Sequence, residues 1–149
     1  MSQTILLVED NASDEKLTRL AFKSCGVANE LVVVRDGAAA LDYLFGTGEY
    51  AGRDAPVLPR VILLDIKLPK IDGLEVLRQL RAHPRTEFVP VVILTSSKLD
   101  EDVLRGKALG ANAYVRKPVE FAEFAVAAKT VGLFWLLLNE PAPVPRGSP

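Results

Sequence analysis

One cysteine and one histidine in 149 residues leave little material for thiolate or imidazole chemistry. Cys25 alone can close no intrachain disulfide and build no cysteine metal cluster, which fits a reducing compartment. An excess of one charge is missing as well. Eighteen Lys and Arg face 19 Asp and Glu, a formal net charge of −1, so there is no basic footprint for nucleic acid. Long apolar runs are lacking: the longest near the C-terminus, LFWLLL at 133–138, is far too short to span a bilayer. The opening MSQTILLVED has no positive n-region and turns acidic within ten residues, so no secretory signal is expected. A disulfide scaffold, a nucleic-acid binder and a membrane protein are thereby disfavoured, and a cytoplasmic domain is expected.

What is present is an ordinary globular composition, 49% apolar and 25% charged, in a chain long enough for one domain with a real core. Five short runs rich in leucine and β-branched residues stand out: TILLVE (4–9), ELVVV (30–34), RVILLD (60–65), PVVILT (90–95) and AYVRK (113–117). Helical spacing fills the gaps. Leu17, Leu20, Ala21 and Ser24 mark one predicted face, Gly37, Ala40, Leu41 and Leu44 a second, and Gly73, Val76, Leu77 and Leu80 a third. DEDVLRGKALG predicts a shorter helix, weakened by Gly106, and a last helix is expected from Val119 to Leu138. No internal repeat is evident. Strands alternating with helices imply right-handed crossovers and a parallel sheet covered on both faces, so the expected fold is a doubly wound, three-layer α/β domain with five strands. The stretch 46–59 reads as a long loop, and 139–149, with four of the ten prolines, as a disordered tail behind a domain ending at residue 138.

Sites in such sheets lie beyond the carboxyl ends of the strands, where strand order reverses. Glu9 and Asp10 end the first strand, Asp65 the third, Thr95 and Ser96 the fourth, and Lys117, followed by Pro118, the fifth. Taken singly, each has a bland reading as a turn or cap residue; Asn11 or Ser13, for instance, could cap a helix after Glu9-Asp10. Jointly, different strands deliver three carboxylates, hydroxyls and an ammonium to one rim. Two carboxylates 4 Å apart repel by about 4 kcal/mol at an effective dielectric near 20. Mg²⁺ would relieve that repulsion and leave places for phosphate oxygens. Asp65 could then act as a nucleophile forming an acyl phosphate, Lys117 could hold a phosphoryl oxygen as a point charge, and Thr95 could donate a hydrogen bond to another.

The stretches ILLVEDN, VILLDIKLPKIDGLEVL, PVVILTSS and LGANAYVRKP resemble the receiver domains of two-component response regulators, over roughly residues 4–138. The resemblance implies a flavodoxin-like receiver fold of strand order 2-1-3-4-5, with Asp65 as phosphoacceptor and a sensor histidine kinase as donor. It implies Mg²⁺ held by Glu9, Asp10, Asp65 and the backbone carbonyl of Lys67. It makes Thr95 and Lys117 the phosphoryl-binding pair, Thr95 and Tyr114 a switch pair, and the bond to Pro118 cis. A closer resemblance, carried by DGAAALDYLFGTGEYAGRD and GLFWLLLNEPAP, is to the small regulators that partner phytochrome-type kinases.

Other residues read as structural. His83 is expected to be a solvated loop histidine, Arg78, Arg81 and Arg85 a solvated helix face and its exit, and Cys25 a small buried hydrophobe. A pseudo-receiver that only binds proteins is the main alternative function, but a scaffold would be free to lose Lys117 or Thr95. An aspartyl phosphatase is a third; such enzymes carry Asp-x-Asp, whereas here Asp65-Ile66-Lys67 lacks the general acid. With no room for a DNA-binding module, output is expected through protein contact or by onward phosphotransfer. The last helix carries two apolar stripes and one sheet to cover. Leu133, Phe134, Trp135 and Leu137 are therefore expected to build a homodimer.

Overall fold

Runs of Leu, Ile and Val flanked by polar turns form the strands, the pattern of a parallel sheet covered on both faces. The computed structural model describes residues 4–24, 29–51, 58–95, 107–117, 120, 122–123 and 126. Its elements are β1 (Ile5–Val8), α1 (Ala12–Ser24), β2 (Leu31–Val34), α2 (Gly37–Phe45), a 3₁₀ turn (Gly48–Tyr50), β3 (Val61–Asp65), α3 (Gly73–Ala82), β4 (Val91–Thr95) and β5 (Ala113–Arg116). The five strands pair in parallel in the order β2-β1-β3-β4-β5, the expected flavodoxin-like topology. Each strand is shorter than its apolar run suggested. Glu9 and Lys117 fall one residue beyond β1 and β5, where the chain leaves the sheet carrying its charges.

Strand alternation divides the core in two. Ile5, Leu7, Val61, Leu63, Val92, Leu94, Ala113 and Val115 pack with Phe22 of α1 on one face. Leu6, Val8, Ile62, Leu64, Val91 and Ile93 pack on the other with Ala40, Tyr43 and Leu44 of α2 and Val76, Leu77 and Leu80 of α3. This is the three-layer arrangement. Polar side chains start all three helices: Asn11 accepts from the Asp14 N–H at 3.0 Å, Asp36 from Ala39 at 2.7 Å and Asp72 from Glu75 at 2.9 Å.

Two expectations need correction. The stripe predicted for α1 is rotated: Leu17 and Leu20 are 43% and 52% exposed, while Thr18 and Phe22 are buried. Phe22 fills the core cluster, and the Thr18 hydroxyl is satisfied by the Asp14 carbonyl at 3.0 Å, so burying it leaves no unmade hydrogen bond. Arg81 is no solvated helix residue. Its guanidinium donates to the carbonyls of Gly110 (3.0 Å), Val89 (2.9 Å) and Thr86 (3.4 Å) and to Asn112 Oδ1 (3.0 Å), and burial lowers its pKa. It thus ties the end of α3 to the entrances of β4 and β5. Arg78, by contrast, pairs with Glu75 on the surface, and exposed His83 ends α3 with its ring 5.0 Å from that of Phe45.

Lys107 and Ala108 of the predicted fourth helix are helical, as are Ala122, Glu123 and Val126 of the last. Cys25, Ser96, Pro118, residues 52–57 of the 46–59 loop, the rest of the C-terminal helix with Leu133, Phe134, Trp135 and Leu137, and the 139–149 tail lie outside the described residues. Among the described residues no helix is long and apolar enough to cross a membrane.

Gly73 determines how closely α3 approaches the rim. A Cβ there would stand 2.1 Å from the Asp65 carbonyl oxygen, and the Gly73 N–H already donates to Ile66 at 2.8 Å. Gly73→Ala should therefore destabilise the fold by about 2 kcal/mol through overpacking, although alanine is ordinarily the better helix former by about 1 kcal/mol. Urea unfolding reads the sign directly; a stabilised variant would mean that the close approach is not binding.

Candidate functional site

The period of two along a strand decides which strand-end groups can meet. Asp65 continues the parity of Val61 and Leu63, Glu9 that of Ile5 and Leu7, and Lys117 that of Ala113 and Val115, so all three belong to the face covered by α1. Thr95 follows Val91 and Ile93, and Tyr114 lies beside them, so both belong to the face covered by α2 and α3. Backbone bonds carry the ladder out to the rim: Glu9 N–H to Val34, Ile66 N–H to Leu94 and Lys117 N–H to Thr95, at 3.0, 3.2 and 2.9 Å.

Glu9, Asp10 and Asp65 each offer a carboxylate oxygen, and these oxygens lie within 4.8 Å of one another. Glu9 and Asp65 are buried at 0% and 4% exposure, while Asp10 faces solvent. The Lys117 ammonium contacts two of them, Glu9 and Asp65. Its Nζ is 2.8 Å from Asp65 Oδ2, 3.0 and 3.2 Å from the two oxygens of Glu9, and 2.9 Å from Asp14 Oδ2. The other oxygen of Asp65 accepts from the Lys67 backbone N–H at 3.1 Å, and Glu9 Oε2 accepts from the Asn11 N–H at 3.3 Å.

Burial, reinforced by the neighbouring Asp65 carboxylate, pushes Glu9 up to about 7, against the opposing pull of Lys117. For Lys117, burial alone would lower the pKa; its bonds to Asp65, Asp14 and Glu9 outweigh that and hold it above the ordinary lysine value. Burial also raises the Tyr114 phenol, whose buried hydroxyl has no hydrogen-bond partner among the described residues. The Lys107 ammonium stands 5.9 Å from the centre of the Tyr114 ring. Thr95 is 4% exposed at the end of β4.

The structure thus brings Glu9, Asp10, Asp65 and Lys117 together. Thr95 and Tyr114 come to the neighbouring strand ends, on the other side of the sheet. Asp14 was not singled out from the sequence; the only signal for it is its position in the first turn of a helix that starts beside Glu9-Asp10. All the donors of the acidic trio are hard oxygens, the set that suits Mg²⁺, so such an ion fits here.

A family model, the response regulator receiver domain, matches residues 5–129. The bacteriophytochrome response regulator AtBRR has a solved structure that is 51% identical, with a TM-score of 0.84 over 94% of this chain and 99% of that one. Response regulator Rcp1 of Synechocystis is 37% identical over 90% of this chain and 89% of its own length. The structure of its Mn²⁺-bound form superposes with a TM-score of 0.74, at 35% identity, over 95% of this chain and 99% of that one. A probable methanogenesis regulatory protein of Methanothrix harundinacea, FilR2, is 42% identical over 91% of this chain and 84% of its own length.

The raised Glu9 pKa has a signed consequence. The folded state holds the Glu9 proton more tightly than the unfolded chain does, so its contribution is complete below about 4.5 and is lost as pH rises to about 7. Without added divalent metal, urea stability should fall between those two values, and Glu9→Gln should flatten the fall. An equally steep profile in the variant would place its origin in another group.

Proposed function

The chain belongs to the response regulator receiver family, and from that premise we propose that Asp65 accepts a phosphoryl group from a sensor histidine kinase. The observation that carries the reading is the Lys117 ammonium bonded to Asp65, one of three carboxylates whose oxygens lie within 4.8 Å of one another. An oxygen of Asp65 forms the new bond to phosphorus while the P–N bond to the donor imidazole breaks. The bonding pair leaves on the imidazole nitrogen. Lys117 turns an N–H toward the phosphoryl oxygens, and Thr95 donates its hydroxyl to another.

Mg²⁺, held by Glu9, Asp10, Asp65 and the Lys67 carbonyl, would neutralise charge on the carboxylates and the transferred group. The protein therefore promotes its own modification and is not a turnover enzyme. Phosphorylation draws Thr95 toward Asp65, and the Tyr114 ring follows. The buried Tyr114 hydroxyl, without a hydrogen-bond partner among the described residues, supports this, because an unmade bond biases the ring toward any position that makes one. The bond preceding Pro118 is read as cis. Likeness to AtBRR, a bacteriophytochrome response regulator, supports a phytochrome-type kinase as the donor, and the site of action is read as cytoplasmic.

With acetyl phosphate or a phosphorylated bacteriophytochrome kinase and Mg²⁺, wild type should take label on Asp65 and Asp65→Asn should take none. Asp10→Asn should weaken Mg²⁺ binding and slow labelling together. Wild-type labelling of Asp65→Asn sinks the assignment, and a wild type that never takes label leaves a protein-binding scaffold.

The same reading extends the receiver to residue 138, with 139–149 as a tail, and makes the protein a homodimer through the C-terminal helix. Val126, on the second apolar stripe of that helix, is 68% exposed, an apolar side chain on the surface of the helix. A symmetric pair could cover about 800 Å² per partner, a standard interface. Light scattering should give a dimer for wild type at tens of micromolar and a monomer for Leu133→Glu combined with Leu137→Glu. A monomeric wild type, phosphorylated or not, removes the proposal.

A further inference from the structure

The reading above gives Lys117 one task at the phosphoryl group, yet its ammonium is already fully engaged. An ammonium has three N–H donors. Those of Lys117 face three carboxylates: Asp65 at 2.8 Å, Glu9 at 3.0 and 3.2 Å, and Asp14 at 2.9 Å. A phosphoryl oxygen can take one of these N–H groups only if a carboxylate yields it.

The three carboxylates are not equally able to yield. The Glu9 and Asp65 side chains are 0% and 6% exposed, so either would be left charged and buried. Both also belong to the acidic trio, and Asp65 is the acceptor itself. Asp14 stands outside the trio, and its side chain is 25% exposed, so water can take over its hydration when it lets go. Its backbone is held whether or not the side chain is bonded. The Asp14 N–H donates to Asn11 Oδ1 at 3.0 Å, and its carbonyl accepts from the buried Thr18 hydroxyl at 3.0 Å.

Resting on the receiver reading, we propose that Asp14 is a positioning residue: it holds the Lys117 ammonium in the unphosphorylated site and competes for it with the incoming phosphoryl oxygens. It is the carboxylate that yields. It keeps the ammonium poised between α1 and β3, and it makes that ammonium less available to the phosphoryl group than it would be without Asp14.

The test is binding of beryllofluoride, a phosphoryl mimic, to the full chain in Mg²⁺. Asp14→Asn removes the charge and keeps the shape; Asp14→Ala removes both. Each should bind beryllofluoride more tightly than wild type, by roughly tenfold, the scale of one charge-assisted hydrogen bond at a partly exposed site. Asp14→Glu restores the carboxylate and should stay within about twofold of wild type, a rescue that a merely structural role would not require. The inference is overturned if wild type binds the mimic and the Asn and Ala variants bind no tighter. Weaker binding accompanied by a lower Tm would make Asp14 a structural prop and overturn it equally. If wild type itself binds no beryllofluoride in Mg²⁺, it is the receiver reading that has failed.

Discussion

Two buried carboxylates, Glu9 and Asp65, exist in this fold because one ammonium reaches both of them. Either one alone in the core would be prohibitively costly, and the pair without Lys117 would add mutual repulsion to desolvation. Lys117 comes from the far end of the chain, 108 residues from Glu9 and 52 from Asp65. The contact therefore forms only when β1, β3 and β5 are in register. Folding and assembly of the site are one event. The compensation is also incomplete, since four carboxyl groups, Glu9, Asp10, Asp14 and Asp65, gather where one ammonium reaches three of them. A site in this condition favours a further cation, and a phosphoryl group arriving without one would meet net negative charge.

The scaffold serves this arrangement in two ways. Parallel pairing puts every strand's carboxyl end on one rim, and the pleat sorts the groups there into two sets. Charge chemistry falls on the α1 side, with Glu9, Asp65 and Lys117; the hydroxyl and the aromatic fall on the other, with Thr95 and Tyr114. Asp65 on β3 and Tyr114 on β5 are joined through β4, which pairs with both strands. At the opposite end of the sheet, Arg81 joins α3 to the entrances of β4 and β5 through four acceptors. These two strands are thus held firmly where they begin, with Thr95 at the end of β4 and Tyr114 within β5.

The first helix shows how a local pattern yields to the site. Its leucines suggested a stripe through Leu17 and Leu20, yet the helix turns Asp14, Thr18 and Phe22 inward. An ion pair to Lys117 at one end and an aromatic core contact at the other outweigh two leucines. Those leucines lose only the gain of burial by staying in water, about 2 kcal/mol each at most.

Much was determined by the sequence itself. Near-continuous apolar runs can only be strands buried on both faces, and their alternation with helical spacing requires crossovers, so the layers and the rim followed from local rules. The acidic pair after the first run, Asp65 after the third and Lys117 after the fifth marked the chemistry for the same reason. What the tertiary structure decided was partnership. That Lys117 bonds Asp14 as well as Glu9 and Asp65, that Arg81 is a clamp, and that the Tyr114 hydroxyl is buried with no partner among the described residues depend on contacts between residues far apart in the chain. The spacing along a strand or helix tells which way a side chain leaves its own element. It carries no information about what stands opposite, because that is set by the packing of elements whose separation in sequence local patterns do not span.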